Sequence, residues 1–131
     1  MFATNDFFSK TTPTNATNMT GNNVIQGSNN SMKGTDNKIA GDKNNLIGKN
    51  NTLIGSFNDI FGLSNTVLGN MNQISKGNNN QIKGSENILQ GNENTIVGNK
   101  NGVLGNNNSI IGSENLAKGD KNTLIGDKNK V

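Results

Sequence analysis

The 131-residue chain contains no histidine, cysteine, arginine, tryptophan or tyrosine. The imidazole and thiolate groups on which most nucleophilic, general-base and zinc chemistry depends are therefore missing. Without cysteine, no disulfide framework stabilises the fold. We therefore expect no catalytic residues, no metal site and no cofactor, and the sequence predicts that the protein is not an enzyme.

Positive charge is present but is not concentrated in one region. The chain contains twelve lysines and nine acidic residues, which gives a formal net charge of +3. Its five phenylalanines are the only aromatic residues. Nucleic-acid interfaces usually add arginine forks and aromatic stacking to positive charge. No apolar run approaches the roughly 20 residues of a membrane-spanning helix. The first ten residues, MFATNDFFSK, lack the basic and apolar regions of a signal peptide. We expect neither a nucleic-acid partner nor a membrane.

Asparagine and glycine are abundant, with 30 and 17 residues. Such a composition is also typical of disordered, low-complexity chains, but the order of the residues indicates a repeat. From Gly27 to Gly126 a glycine recurs every seven residues, with one step of eight across Lys76. An asparagine follows three residues after each of these glycines, and an apolar residue follows two positions later. The repeat unit is G-x-x-N-x-φ-x, where φ is apolar.

A period of seven suggests a coiled coil, but the residues of the unit exclude it. A coiled coil needs two apolar positions per heptad, and a glycine in every heptad costs a helix about 1 kcal/mol. Within the unit, the asparagine, the apolar residue and the next glycine lie two positions apart, which is the alternation of a strand with one buried face. The sequence predicts an all-β parallel solenoid whose inward asparagines form hydrogen-bonded ladders.

The outward residues on either side of φ indicate how many heptads make one coil. In five of the eight heptads of one parity they are Thr or Ser followed two residues later by an aliphatic side chain, and Val24/Gln26 and Lys38/Ala40 differ at the start. In the heptads of the other parity the outward residues share no chemistry. This parity favours two heptads, or 14 residues, per coil, with a 15-residue coil at Lys76. Residues 20–131 then form about eight coils, about 40 Å long at roughly 4.8 Å per coil. The pairs of Thr or Ser with an aliphatic residue are Thr52/Ile54, Thr66/Leu68, Thr95/Val97, Ser109/Ile111 and Thr123/Ile125. Gln81 and Lys83 interrupt the series of these pairs.

The repeat, as it stands in NTLIG (residues 51–55), NTVLG, NTIVG and NSIIG, resembles the ice-binding and ice-recrystallisation-inhibition proteins of cold-tolerant grasses. The resemblance covers residues 20–131 and includes the occasional eight-residue unit. It implies a left-handed β-roll with 14 to 15 residues per coil, internal asparagine ladders and one flat outer face that binds ice. It also implies an extracellular antifreeze protein. On this chain the ice-binding face would consist of the ten paired residues named above. We expect the ice crystal surface as the partner and a monomeric protein.

One other function fits parts of the pattern, and a calcium-binding function is excluded. The heads of bacterial trimeric adhesins use similar repeats on a β-roll, and an exposed aliphatic column could be an oligomer interface. A structural or adhesive repeat protein is therefore the alternative, although no coiled-coil stalk or membrane anchor is visible. A calcium-binding roll needs Gly-Gly-x-Gly-x-Asp repeats, and the aspartates do not follow that spacing.

Residues 1–19 lie outside the repeat. The open end of a solenoid exposes strand edges that need a cap, and Phe2, Phe7, Phe8 and Met19 provide apolar side chains for one. The alternative is a flexible tail. The sequence thus predicts an N-terminal cap or tail over residues 1–19 and a β-roll over residues 20–131.

Overall fold

The computed structural model describes residues 16–131, which form sixteen short strands in two parallel sheets of eight strands each. Sheet A contains β1 (Ala16–Met19), β3 (Ser31–Thr35), β5 (Asn45–Lys49), β7 (Asp59–Leu63), β9 (Gln73–Ile74), β11 (Ile88–Gln90), β13 (Gly102–Leu104) and β15 (Leu116–Lys118). Sheet B contains β2 (Val24–Gln26), β4 (Lys38–Ala40), β6 (Thr52–Ile54), β8 (Thr66–Leu68), β10 (Gln81–Lys83), β12 (Thr95–Val97), β14 (Ser109–Ile111) and β16 (Thr123–Ile125). The predicted all-β parallel solenoid is confirmed.

Consecutive strands alternate between the two sheets, and each strand pairs in parallel with the strand one coil later. Thr52 pairs with Thr66, and Thr95 pairs with Ser109, so that equivalent residues lie 14 positions apart. At the eight-residue unit the offset becomes 15, since Thr66 pairs with Gln81. Two heptads therefore form one coil, as the parity of the outward residues predicts.

The extra residue of the long coil is absorbed locally. β9 has two residues where the two preceding strands of sheet A, β5 and β7, have five. Lys76 lies just beyond β9 and has a φ of 54°, in the left-handed region. Because the turn accommodates the additional residue, the strands after it return to the regular register.

The core is a single stack of aliphatic side chains between the sheets. The apolar residues of the repeat are all buried from Ile25 to Ala117, and Leu124 packs partly buried against them. Each aliphatic side chain stacks on its equivalent in the next coil, as in the register of Leu53 with Val67. Burying one such side chain contributes roughly 1.5–3 kcal/mol, and the stack continues through every described coil.

Two ladders of buried asparagines flank this stack, and Asn51 shows the geometry. Its side-chain nitrogen donates to Oδ1 of Asn37 at 3.0 Å and to the carbonyl oxygen of Gly62 at 2.8 Å. Its own Oδ1 accepts from the backbone nitrogen and from Nδ2 of Asn65, at 2.8 and 3.1 Å. The described residues contain no buried side-chain nitrogen or oxygen without a partner. The ladders therefore satisfy the amides whose burial would otherwise be costly.

We name the two ladders by their first members. The Asn23 ladder comprises Asn23, Asn37, Asn51, Asn65, Asn80, Asn94, Asn108 and Asn122. The Asn30 ladder comprises Asn30, Asn44, Asn58, Asn72, Asn87, Asn101, Asn115 and Asn129. The predicted internal asparagine ladders are confirmed.

The turns between the sheets require left-handed backbone conformations at two positions of the unit. The repeat glycine adopts a positive φ in nearly every coil, for example 152° at Gly48. The residue two positions later has a φ of 56–60° in every turn from Asn29 to Lys128. A residue with a Cβ adopts such a conformation only at a cost in free energy. The tight turn therefore explains why the unit keeps glycine at the first of the two positions.

The stack begins before the segment in which the repeat is visible. β1 pairs in parallel with β3, with Ala16 opposite Ser31 and Met19 opposite Gly34. It belongs to the segment for which the sequence predicts a cap or a tail. Residues 1–15, with Phe2, Phe7 and Phe8, lie outside the described residues. Over residues 16–131, no helix has the length and apolar character required to cross a membrane.

Candidate functional site

The outer surface of sheet B carries every residue of the proposed outward pairs. We call this surface the B face, and the outer surface of sheet A the A face. In strands of three residues the middle side chain is buried and the two flanking side chains point outward, as the burial of β6 and β12 shows. The B face therefore presents two outward columns, formed by the first and third residues of each strand.

The first column of the B face consists mainly of hydroxyl side chains. From β6 to β16 its members pair directly with one another: Thr52, Thr66, Gln81, Thr95, Ser109 and Thr123. Thr66 and Thr123 are exposed, and Thr52, Thr95 and Ser109 are half-buried. Within residues 16–131 these hydroxyls form no hydrogen bond to other side chains or to the backbone. Their donors and acceptors are available to water.

The second column of the B face consists mainly of aliphatic side chains. Its members from β6 to β16 are Ile54, Leu68, Lys83, Val97, Ile111 and Ile125. The exposed fraction of the aliphatic members ranges from 38% at Leu68 to 73% at Ile125. Neighbouring strands lie about 4.8 Å apart, and alternate residues of one strand about 6.7 Å apart. The B face is thus a two-dimensional array of methyl and hydroxyl groups at fixed spacings.

The array is interrupted at β10 and differs at the start of the sheet. Gln81 and Lys83 are both exposed and stand between the Thr66 and Thr95 pairs. The first two strands carry Val24 with Gln26 and Lys38 with Ala40 in the same two columns. The regular pairs therefore form one group of two strands, β6 and β8, and another group of three, β12, β14 and β16.

The A face has no regular chemistry, although it is built from the same repeat. Its outward columns mix charged, amide, aliphatic and aromatic side chains, as in the pairs of Asn45 with Asp59 and of Ile47 with Phe61. A shallow depression of about 450 Å³ lies beside the long coil and is lined mainly by Ile47, Phe61, Leu63 and Lys76. This concave, uneven surface contrasts with the columns of the B face.

A further set of hydrogen bonds, which the sequence reasoning missed, joins the turns from sheet B to sheet A. At the position after the repeat glycine, each backbone N–H donates to the side chain of the equivalent residue in the next coil. Ser56 donates to Oδ1 of Asn70 at 2.8 Å, Asn70 donates to Oγ of Ser85 at 3.2 Å, and Ser85 donates to Oδ1 of Asn99 at 2.8 Å. The bonds link Ser28, Asp42, Ser56, Asn70, Ser85, Asn99, Ser113 and Asp127. We call this set the edge ladder.

The signal for the edge ladder is present in the sequence. Serine alternates with asparagine or aspartate at this position, so the column repeats every two coils. On the opposite edge, Asn78 donates to Asn92 and Asn92 donates to Asn106, both at 2.9 Å. Serine, asparagine and aspartate are common in turns because they suit turn geometry. Their side chains in addition link successive coils, which holds the edges of both sheets in register.

The charged side chains of the described residues are scattered over the surface. In that part of the chain no group of three or more acidic residues is arranged to hold a metal ion. The closest pair of opposite charges that the structure shows there, Lys128 and Glu114, is 4.0 Å apart and exposed. What this chain presents is a rigid patterned surface, and the B face is its most regular part.

Comparison with known proteins agrees with this architecture. The family model described as the grass antifreeze beta roll matches residues 48–131. The match begins near the end of β5 and includes all five regular pairs of the B face. No curated protein matches the chain.

Proposed function

Because the chain belongs to the grass antifreeze β-roll family, an ice-binding family, we propose that it adsorbs to ice through its B face and inhibits ice growth and recrystallisation. The ten residues that make up this site are Thr52, Ile54, Thr66, Leu68, Thr95, Val97, Ser109, Ile111, Thr123 and Ile125. The observation that carries the proposal is the direct pairing of these residues in two columns, one of hydroxyls and one of aliphatic groups.

The chemistry of the two columns suits an ordered layer of water. Hydroxyl groups that have no partner within the described residues can hydrogen-bond to water at regular intervals. The aliphatic groups between them restrict the orientations of the neighbouring water molecules. Because side chains in a stacked sheet keep fixed spacings, the ordered layer can merge with the lattice of a crystal. β-Branched residues favour strands on any sheet, but this preference alone would not arrange hydroxyl side chains in one column beside an aliphatic column on the B face.

Rigidity of the B face supports the same proposal. Each coil is linked to the next by backbone hydrogen bonds, by two asparagine ladders and by the edge ladder. Little conformational freedom is left to be lost on adsorption, which reduces the free-energy cost of binding. Adsorbed molecules force ice to grow as curved fronts between them, which lowers the local freezing point and hinders the transfer of water from small crystals to large ones.

The first experiment compares two variants that place the same bulky residue on opposite faces. Thr95→Tyr inserts a ring into the hydroxyl column of the B face, whereas Gln73→Tyr places it at an exposed position of the A face. In nanolitre droplets we expect the parent and Gln73→Tyr to shape ice crystals and Thr95→Tyr to lose most of this effect. Unfolding curves verify that both variants fold. Equal losses from both substitutions, or a loss from Gln73→Tyr alone, would disprove the assignment of the B face.

A second experiment addresses recrystallisation and the adhesive alternative together. The protein is added to a frozen sucrose solution, and the mean crystal size is followed over time. Light scattering on the same sample measures the molar mass. We expect small crystals to persist and the mass to be that of a monomer, in keeping with an extracellular antifreeze. A stable trimer that leaves crystal growth unchanged would instead favour a structural or adhesive role.

A further inference from the structure

Asn101 and Gly102 form the one Asn-Gly dipeptide of the sequence. Among asparagines, those followed by glycine lose their side-chain amide most readily, because the glycine nitrogen has no neighbouring Cβ to hinder its attack. We propose that Asn101 is a site of spontaneous deamidation. The folded roll protects Asn101 from this reaction, and opening of the roll exposes it. This inference does not depend on ice binding.

The reaction uses only the chain and water. The deprotonated backbone nitrogen of Gly102 attacks Cγ of Asn101 and forms a five-membered succinimide. The bond between Cγ and Nδ2 breaks, and the amide nitrogen leaves with a proton as ammonia. Water then opens the ring at one of its two carbonyl carbons, which yields aspartate or its β-linked isomer. The net change is the replacement of one amide by one carboxylate.

In the folded roll both reacting groups are engaged in hydrogen bonds. The backbone nitrogen of Gly102 donates to the carbonyl oxygen of Asn115 at 2.8 Å. Nδ2 of Asn101 donates to Oδ1 of Asn87 at 3.0 Å and to the carbonyl oxygen of Gly112 at 2.9 Å.

The carbonyl oxygen of the same amide is also held, since Oδ1 accepts from the backbone nitrogen and from Nδ2 of Asn115 at 3.0 and 3.1 Å. Asn101 is 1% exposed. For the attack, its side chain must leave the ladder and turn toward its own backbone, which requires the coil to open.

The product does not fit the ladder that the amide occupied. A carboxylate has no N–H groups, so Oδ1 of Asn87 and the carbonyl oxygen of Gly112 lose a donor. It also places a charge at a buried position without a cation. The β-linked isomer lengthens the backbone by one atom and shifts the register of β13. Deamidation after one opening event therefore leaves a permanent defect in the Asn30 ladder when the roll closes again.

The experiment measures deamidation of the full chain in two states. Samples are kept at mildly alkaline pH, one native and one unfolded in urea, and are digested with trypsin at timed intervals. Cleavage after Lys100 and Lys118 gives the peptide 101–118, in which fragment masses separate Asn101 from the asparagines at 106–108 and from Asn115. We expect deamidation at Asn101 before the other asparagines in the unfolded sample, and essentially none there in the native sample.

Gly102→Ala is the matched control. Gly102 has no positive φ, and a Cβ there would meet only the flexible end of Leu116, at 3.1 Å, so the variant should fold. In urea we expect it to deamidate at Asn101 more than about tenfold more slowly, since a barrier higher by about 1.4 kcal/mol is worth that factor. Equal rates in the native and unfolded samples, or an unaltered rate in Gly102→Ala, would overturn the proposal. Failure of the ice-shaping experiment would leave it standing.

Discussion

Gly48 and Gly62 face each other across successive coils so closely that a Cβ on Gly48 would overlap the carbonyl oxygen of Gly62. The same relationship recurs along both edges of the roll, for example between Gly98 and Gly112. That carbonyl oxygen of Gly62 also accepts the hydrogen bond from Asn51. The glycine column and the Asn23 ladder thus depend on each other: the absence of a side chain lets the carbonyl approach, and the asparagine fixes it there.

We expect Gly48→Ala to destabilise the roll by about 3 kcal/mol or more, because a backbone overlap adds to the strain of a Cβ at a φ of 152°. Gly102→Ala is the control, since its φ is not positive and it meets only a side chain, and it should remain within about 1 kcal/mol of the parent. Urea unfolding followed by circular dichroism measures both. Similar stabilities of the two variants would contradict the close packing of the glycine column.

The asparagine ladders provide a second prediction. Asn94→Ala removes the bonds to Asn80 and Gly105. It also removes the acceptor of the backbone N–H of Asn108 and one of the two acceptors of its Nδ2. We expect a loss of roughly 1–3 kcal/mol in the free energy of unfolding. Asn45→Ala, at an exposed position where the side chain bonds to Asp59, should change stability by less than about 0.5 kcal/mol. An unchanged unfolding midpoint in Asn94→Ala would remove the structural role of the ladder.

The turns offer a stabilising substitution. Glu93 has a φ of 58°, and the equivalent residues one coil before and one coil after it are Asn79 and Asn107. Asparagine tolerates this conformation better than glutamate does. We expect Glu93→Asn to raise the free energy of unfolding by about 0.5–1 kcal/mol and Asn107→Glu to lower it by a similar amount. Thermal unfolding of both variants provides the measurement, and changes of the same sign would refute the explanation.

The interruption at β10 leads to a prediction about ice. The double variant Gln81→Thr with Lys83→Val joins the two groups of regular pairs into one array of six strands. We expect it to increase the freezing-point depression measured in nanolitre droplets. The same change on the A face, Gln73→Thr with Ser75→Val, should have no effect. If the first variant shapes ice no better than the parent, the continuity of the columns does not limit adsorption.

Much of the architecture could be predicted from the sequence because the repeat is so regular. One alternation, from Asn51 to Leu53 to Gly55, predicts which side chains point inward. The parity of the threonines predicts the pairing of Thr52 with Thr66 and the 14-residue coil. Both inferences rest on the geometry of a strand, in which alternate residues face opposite sides, and this geometry is the same in every protein.

Other features do not follow from strand alternation, even where the sequence carries a pattern, as it does for the edge ladder. The edge ladder depends on the distance between Ser56 and Asn70, which belong to different coils, and a turn propensity describes only neighbours within one coil. The left-handed conformation of Glu93 runs against the preference of that residue. In both cases contacts with the coils before and after prevail over the local tendency.

By itself, then, the sequence determined the coil length, the parallel sheets, the inward asparagines and the two outward columns, because each follows from the period of the repeat combined with the alternation of a strand. Only the tertiary structure decided how closely the glycines approach, which turn residues bond between coils, and how fully the B face is exposed. Those properties arise where successive coils stack, and stacking brings together atoms of residues that lie 14 or 15 positions apart.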